Sequence, residues 1–248
     1  MQKYKLANES FFGKLSIKLV SEIVLAVFVG VAIFISSTMY SNATRISDEN
    51  RLYNNVSIGL DGKYIDSLFG IPKMSFPENA DILLTNHIYV LKGSFLRTVL
   101  DANNTVVAFF VTSVEKGRVI PLNVPYQNKR ITIGKNSFYS ISDDPNVEIH
   151  DLGSGTYYNH YSESFSKNHP DTFCCAFINF GVATDKSSQL LLSYATGVYR
   201  SKNRLELSDV EKYRQQAIPN TFGIITSEYS DKIEIVPNYD RYFDLLNH

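Results

Sequence analysis

The sequence has no Trp, only two Cys and almost no net charge, and each scarcity excludes a class of protein. Its 24 Lys and Arg are balanced by 25 Asp and Glu, so it lacks the basic excess that binds phosphate backbones, and we predict no nucleic-acid partner. Cys174 and Cys175 are adjacent, and neighbouring side chains on a strand point to opposite faces, so we expect two buried thiols rather than a disulfide.

One long apolar run lies near the N-terminus. The eighteen residues from Ile23 to Tyr40 carry no charge, and at about 1.5 Å per residue they cross most of a hydrocarbon core of roughly 30 Å. We predict a basic leader over residues 1–18 and a transmembrane helix over residues 19–40, with the lipid bilayer as the partner of that helix.

The flanking charges predict the direction of this helix. Four Lys precede it, whereas Arg45 and Arg51 after it are balanced by Asp48 and Glu49. Because positive charge is retained in the cytoplasm, we expect a cytoplasmic N-terminus and an extracytoplasmic body. A cleaved signal peptide ending near residues 41–43 is the alternative, and a buried core helix is another.

The rest of the chain predicts an α+β body in two halves. Residues 41–56 are polar and predict a spacer that partly continues the helix. Residues 57–141 predict a helix with an antiparallel sheet: Asp61 is the expected N-cap, Gly70 ends the helix, and strands follow on both sides of Lys92-Gly93 and of residues 101–104. A further strand is expected in RITIGKNSF.

Residues 142–248 predict a second α+β subdomain. It opens with a polar, Tyr-rich stretch over residues 142–171, which we interpret as a loop. Strands are expected in FCCAFINFGV, LLLSYATGVY and FGIITSE, with a helix between the last two whose N-cap is Ser208 and whose capping-box partner is Glu211. The C-terminal tail carries Tyr239, Tyr242 and Phe243, which we expect to pack on the core.

The motifs of known catalytic sites are missing. There is no metal-binding histidine spacing, no G-x-S-x-G elbow and no phosphate-binding loop, so we predict no cofactor. The strongest candidate for an acid/base or metal site is a set in the polar stretch: His150, Asp151, His160 and Glu163. On a helix, His160 and Glu163 would share a face.

A second candidate is a surface for recognition. Exposed aromatic side chains with polar tips are typical of binding surfaces, and three of them lie close together in the Tyr-rich stretch: Tyr157, Tyr158 and Tyr161. Packing of these rings in the core is the competing interpretation.

Several segments resemble known bacterial proteins. DGKYIDSLFGIP, FLRTVLDANNTVVAFFVTS, ITIGKNSF, YYNHYSESF and PNTFGI are similar to a group of uncharacterised proteins with one N-terminal membrane helix, over most of residues 55–227. The helix-Gly-x-Pro-hairpin order also resembles, more distantly, the small BamE-type lipoproteins of outer-membrane assembly. That resemblance implies helices against an antiparallel sheet and no functional residue, and the lipid-accepting cysteine of those lipoproteins is missing.

Together with the resemblance to bacterial proteins, these patterns predict a non-enzymatic module that is anchored in a bacterial inner membrane and has an extracytoplasmic body. We expect this body to bind a protein partner or to assist assembly in the envelope, through a sheet edge or the Tyr-rich stretch. Two alternatives remain at this point. One is an envelope hydrolase that uses the His/Asp/Glu set, and the other is a sensor or effector at the inner membrane with a cytosolic body.

Overall fold

The computed structural model describes residues 2–79, 83–124, 128–142, 148–154, 159–165, 169–179 and 207–236. The chain divides into two compact units, residues 1–49 and residues 50–248. The first unit consists of most of helix α1, which spans Gln2–Tyr53. The leader and the predicted membrane segment therefore belong to one helix, which continues through most of the predicted spacer.

Helix α1 is apolar enough to span a membrane. Between Glu22 and Tyr53 the mean hydropathy of one 18-residue window reaches 2.3, and none of that window is buried. Two hydroxyl groups of its apolar segment are satisfied locally, since Ser37 Oγ and Thr38 Oγ1 each donate to Phe34 O at 2.9 Å. These bonds let polar side chains lie in an apolar helix without unpaired hydroxyl groups.

The second unit is built on one large antiparallel sheet, which confirms the α+β class. Its eight described strands lie in the order β1-β2-β3-β4-β10-β9-β8-β7. They are β1 Met74–Asn79, β2 Leu84–Leu91, β3 Ser94–Leu100, β4 Val106–Ser113, β7 Glu148–Ser154, β8 Asn159–Phe165, β9 Asp171–Asn179 and β10 Thr221–Thr226. A separate hairpin pairs β5 Ile120–Val124 with β6 Lys129–Ile133.

The described part of this unit also contains a 3₁₀ helix, Ser227–Tyr229, and three further α-helices. They are α2 Gly62–Phe69, α3 Phe138–Ile141 and α4 Leu207–Gln216. Helix α2 confirms the predicted caps: Asp61 accepts a hydrogen bond from Lys63 N at 2.8 Å, and Gly70 N donates to Asp66 O. Helix α4 is also confirmed, but it includes Ser208, which was expected to be its N-cap.

The early strands agree with their sequence pattern. Strands β2 and β3 pair in register across Lys92-Gly93, where Gly93 has a φ of 72° that disfavours residues with a Cβ. Strands β3 and β4 pair across the turn at residues 101–104. In that turn Asp101 Oδ1 accepts from Asn103 N and Thr105 N.

Both faces of the sheet carry apolar residues, because each strand alternates its side chains. One face, here the α2 face, packs under the end of α1, α2, α3, α4 and the β5–β6 hairpin. The opposite face packs against the segment that ends at residue 236, through Ile233, Ile235 and Val236. Cys174 and Cys175 form no disulfide and are buried, one on each face, as expected.

The polar stretch after residue 142, which was interpreted as a loop, contains β7 and β8. Strand β1, in the Pro-containing segment before β2, was not predicted. The strands of residues 57–141 and 142–248 also share one sheet, since β4 pairs with β10. The strand expected in LLLSYATGVY and the tail residues Tyr239, Tyr242 and Phe243 lie outside the described residues.

Candidate functional site

The predicted His/Asp/Glu set does not come together as a cluster. His150 and Asp151 lie on the edge strand β7, at a register shift between Ile149 and Asp151. His160 and Glu163 lie on β8, three positions apart, so the alternation of the strand places them on opposite faces of the sheet. The prediction that the two side chains share a face assumed a helix. On a strand, residues three positions apart point to opposite faces.

Tyr161 is not part of an exposed surface, because its side chain is fully buried at 0% exposure. Its ring packs edge-on to Phe138 at 5.1 Å between centroids and lies 4.7 Å from the ring of Tyr213. Core packing, the competing interpretation for this residue, is what the structure shows. Tyr157 and Tyr158 lie outside the described residues.

Glu163 belongs to a closed buried network. Arg214 Nε on α4 donates to Glu163 Oε2 at 2.9 Å, and Tyr161 Oη donates to the same oxygen at 2.9 Å. Arg214 Nη2 also donates to Ser142 O at the end of α3. Burial raises the pKa of Glu163, while Arg214 and then Tyr161 lower it by less. With its oxygens enclosed in this way, Glu163 joins β8 to α3 and α4 and has no access to a substrate.

A second buried network lies on the opposite face of the sheet. Arg97 has a fully buried side chain, and its guanidinium donates to Glu78 Oε2 at 2.8 Å, to Asn86 Oδ1 at 2.7 Å and to Glu234 O at 2.6 Å. It also lies over the ring of Phe110, 4.7 Å from the centroid. Glu78 accepts from Asn86 Nδ2 and, through Oε1, from Glu234 N. Both networks hold the fold together and leave no open donor for chemistry.

The described residues offer no metal centre, since no group of three or more His, Cys, Asp or Glu side chains lies close enough to hold an ion in that part of the chain. The thiol of Cys175 is equally enclosed: burial raises its pKa well above the ordinary value, with a further increase from Glu163. A buried, protonated thiol is neither a nucleophile nor a metal ligand. Glu163 and Cys175 are therefore not positioned for acid/base or thiol chemistry.

A cleft of about 480 Å³ lies where β1, β2, β3 and the β3–β4 turn meet. Its volume falls in the range of roughly 300–1,000 Å³ that is typical of ligand sites. Its lining combines apolar and polar side chains: Pro77, Leu83, Leu84, Thr85, His87, Leu100, Asp101, Ala102 and Asn104. We call it the β2 cleft.

One wall of the β2 cleft is fixed by helix α2. Asn104 Nδ2 donates to the N-cap carboxylate of Asp61 at 2.9 Å, and Gly62 N donates to Asn104 O at 2.8 Å. A Cβ on Gly62 would lie 2.7 Å from Asn104 Oδ1, so a larger residue at position 62 would have to displace the Asn104 side chain. The Asp-Gly pair that begins α2 thus holds the β3–β4 turn in place.

His87 lines the β2 cleft beside a hydrogen bond between strand β2 and helix α2. Tyr89 Oη donates to Asp66 Oδ1 at 2.8 Å, and it lies 3.5 Å from His87 Nδ1. Burial lowers the pKa of His87, while Asp66 raises it by less, so the ring is neutral near pH 7.

Leu83 forms the rim of the β2 cleft. Its side chain is 71% exposed, and its φ of 53° places a bulky residue in the left-handed region. Such a conformation costs about 1–3 kcal/mol and is concentrated at functional sites. Sequence reasoning missed this cleft, since its residues come from three strands and a turn. The only local signal for it in the sequence was the predicted turn at residues 101–104.

Comparison with other proteins assigns no family, because no family model and no curated protein matches the chain. Among solved structures, it is similar to a cysteine-rich secretory protein from Staphylococcus aureus, with 12% identity over 69% of this chain and 45% of that chain, at a TM-score of 0.36. It is also similar to a putative beta-lactamase inhibitor protein from Streptococcus mutans, with 16% identity over 54% of this chain and 90% of that chain, at a TM-score of 0.24. The chain thus spans less than half of the first structure, and similarity at this level assigns no function.

Proposed function

We propose that this is a single-pass protein of a bacterial inner membrane, with a cytoplasmic N-terminus and an extracytoplasmic body that binds a partner protein and catalyses no reaction. The observation that carries the proposal is helix α1, whose most apolar window is entirely exposed. An uncovered apolar surface of this length is unfavourable in water and favourable in a bilayer. The four Lys before it favour the inward N-terminus.

The positions of the titratable groups in the body support binding rather than catalysis. The Glu163–Arg214 and Glu78–Arg97 pairs are enclosed in the protein, whereas the β2 cleft is open and lined by polar and apolar groups in one place. The predicted hydrolase residues His160 and Glu163 lie on opposite faces of the sheet. A binding site at the β2 cleft is therefore favoured over a hydrolase.

The same reasoning favours the cleft over the sheet edges. In the described sheet the outer strands are β1 and β7, and the register of each shifts, between Pro77 and Asn79 and between Ile149 and Asp151. Bulges and proline on an edge strand hinder the addition of a partner strand. We therefore place recognition at the β2 cleft.

A topology experiment tests the membrane part of this proposal. Two reporters are fused separately after His248, one active only outside the cytoplasm and one fluorescent only inside it. We expect activity from the first reporter, and mixed or inverted topology when the four leader lysines are replaced by glutamate. Fluorescence from the second reporter on the unmodified chain would contradict the proposed orientation and favour a cytosolic sensor. Intact mass of the membrane-extracted protein tests cleavage near Ala43.

A cross-linking experiment tests the partner. A photoreactive amino acid is placed in cells at Leu83, on the rim of the β2 cleft, or at Tyr139, which is exposed on α3 away from the cleft lining. We expect one protein to be captured from position 83 and not from position 139. Equal capture from both positions would mean that the cleft is not the binding surface.

A further inference from the structure

The Glu78–Arg97 pair binds the backbone of a later part of the same chain. Arg97 Nη1 donates to Glu234 O at 2.6 Å, and Glu234 N donates to Glu78 Oε1 at 2.9 Å. The side chains of Arg97 and Glu78 are only 0% and 5% exposed. A buried ion pair therefore holds both backbone groups of one residue. Bonds of this kind are charge-assisted, and they do not depend on which side chain the bound residue carries.

The residues around this position add apolar contact. Ile233, Ile235 and Val236 are buried in one apolar cluster with residues of β2, β3 and β4 on the opposite face of the sheet. Glu234, between the two isoleucines, is exposed. The pattern that fits is thus an apolar residue, any residue with a backbone N–H, and two more apolar residues. Burial of the apolar side chains favours binding of such a segment.

The strand pairs of the sheet do not depend on this segment. Strand β10 ends at Thr226 and is paired on both sides, with β4 and with β9. Residues 227–236, which follow it, form a 3₁₀ helix and turns but no strand. Residues 233–236 therefore lie on the opposite face as a bound peptide would.

This position adjoins the β2 cleft. Leu84 lines the cleft and also belongs to the apolar cluster that contains residues of the 233–236 segment. Glu78 lies where the register of β1 shifts, between Pro77 and Asn79. Such bulges turn a side chain to a new direction, and they are concentrated next to functional sites. A segment bound at Glu78 is thus continuous with the surface that the proposed function uses.

We propose that the Glu78–Arg97 pair and the apolar residues beside it bind a segment of the partner protein, in exchange for the chain's own residues 233–236. The partner segment has the pattern described above, and its central N–H and C=O take the place of those of Glu234. This inference rests on the proposed function for its partner and adds the sequence pattern that the partner must offer. Because the chain's own segment competes, the apparent affinity for the partner is lowered in proportion to the fraction of open molecules.

The test uses the full chain in detergent micelles and a fluorescent, capped peptide with the sequence of residues 229–236, YSDKIEIV. Two derivatives carry one N-methyl group each. The first is methylated at Glu234, whose N–H binds Glu78. The second, the matched control, is methylated at Asp231, which is exposed and whose N–H has no hydrogen bond within the described residues. Fluorescence anisotropy measures binding to the unmodified chain and to Ile233→Asn, in which the chain's own segment is weakened.

We expect Ile233→Asn to bind the peptide at least about tenfold more tightly than the unmodified chain, because its own segment leaves the site more often. Methylation at Glu234 should weaken binding about tenfold or more, since a hydrogen bond to a carboxylate is lost. Methylation at Asp231 should change the affinity by less than about twofold.

Hydrogen exchange of the unmodified chain gives a second measurement that needs no variant. A linked segment competes at an effective concentration in the millimolar range, so the peptide is added at about 1–5 mM. We expect residues 229–236 of the chain to exchange at least about threefold faster with the peptide than without it, because the peptide displaces them. The caps of the added peptide distinguish it from the chain by mass.

Equal affinity of the two chains, or equal binding of the two methylated peptides, would overturn the inference. If Ile233→Asn loses its near-ultraviolet circular dichroism, the hydrogen exchange decides, and unchanged exchange of residues 229–236 would refute the exchange of segments. A full chain that is dimeric in micelles and dissociates with the peptide would assign the site to a second copy instead of a partner protein. A cytoplasmic reporter signal, or no capture at Leu83, would contradict the proposed function while leaving these peptide measurements unchanged.

Discussion

Glu78→Gln tests whether the Arg97 network stabilises the body as its geometry implies. Glu78 accepts three hydrogen bonds, from Arg97 Nη2, Asn86 Nδ2 and Glu234 N. Glutamine has the same shape but carries one oxygen and one amide nitrogen. If the oxygen faces Glu234 N, the amide group faces two donors; if it faces Arg97, the N–H of Glu234 loses its acceptor. Either orientation also leaves the buried guanidinium without its counter-charge.

The expected cost follows from this burial. Removal of one partner from a buried ion pair destabilises a protein by about 3–5 kcal/mol, because the other charge remains in a poorly solvated place. Arg97 keeps its bonds to Asn86 Oδ1 and Glu234 O and its contact with Phe110, so we place the loss near the lower end, at about 3–4 kcal/mol. For a body of this size that corresponds to a fall in Tm of roughly 10 °C.

The assay is guanidinium unfolding of the full chain in detergent micelles, followed by the near-ultraviolet circular dichroism of its 16 Tyr. Glu228→Gln is the matched control, since it removes one exposed carboxylate and is expected to change the free energy of unfolding by less than about 0.5 kcal/mol. The double variant with Arg97→Met should cost at least about 1 kcal/mol less than the sum of the two single variants. If Glu78→Gln unfolds within about 1 kcal/mol of the control, the network is not stabilising and the reasoning is refuted.

Three other changes test further parts of the structure. Gly223→Ala should destabilise the sheet by about 1–3 kcal/mol, since a Cβ there would lie 2.2 Å from the ring of Phe110; in a Phe110→Leu background the measured loss should shrink, and an undiminished loss would contradict this cause. Burial lowers the pKa of His87 below 6.5 in the folded protein. As the pH falls, His87 is therefore protonated in the unfolded chain before it is protonated in the folded protein. The free energy of unfolding should therefore decrease as the pH is lowered from about 6.5, and the decrease should be smaller in His87→Gln. Identical pH profiles of the two proteins would contradict this role of His87. Cys174 and Cys175 are buried, so iodoacetamide should label them in folded protein at least 100-fold more slowly than after denaturation, as followed by mass spectrometry; equal rates would mean that the β9 region opens freely.

Local signals in the sequence were sufficient to predict helix α2 and strands β2, β3 and β4. Asp61 and Gly70 cap α2 through bonds to residues of the same helix, so the short segment from Asp61 to Gly70 is enough to predict both ends. Strands β2, β3 and β4 are joined by short turns with Gly93 and Asp101, and their alternating apolar residues require no distant partner to be recognised. In these places, local propensity and tertiary packing agree.

Strand β8 was interpreted as a loop because its polar residues are stable only in a context that the local sequence does not contain. Glu163 is buried because Arg214, 51 positions later, supplies its counter-charge. Strand β1 was missed for a related reason, as Pro77 is tolerated on an edge strand that is not visible from sequence. The candidate site failed in the same way: helical spacing was assumed for His160 and Glu163, and the alternation of a strand separates them.

The two buried arginines follow from one physical rule, that a charge in an apolar setting is stable only when it is paired. Arg97 and Arg214 each meet a carboxylate from another segment of the same chain, and the resulting contacts fasten distant parts of the sequence to the two faces of the sheet. Because the partner of each arginine is distant in sequence, neither buried ion pair could be predicted from the residues around the arginine alone.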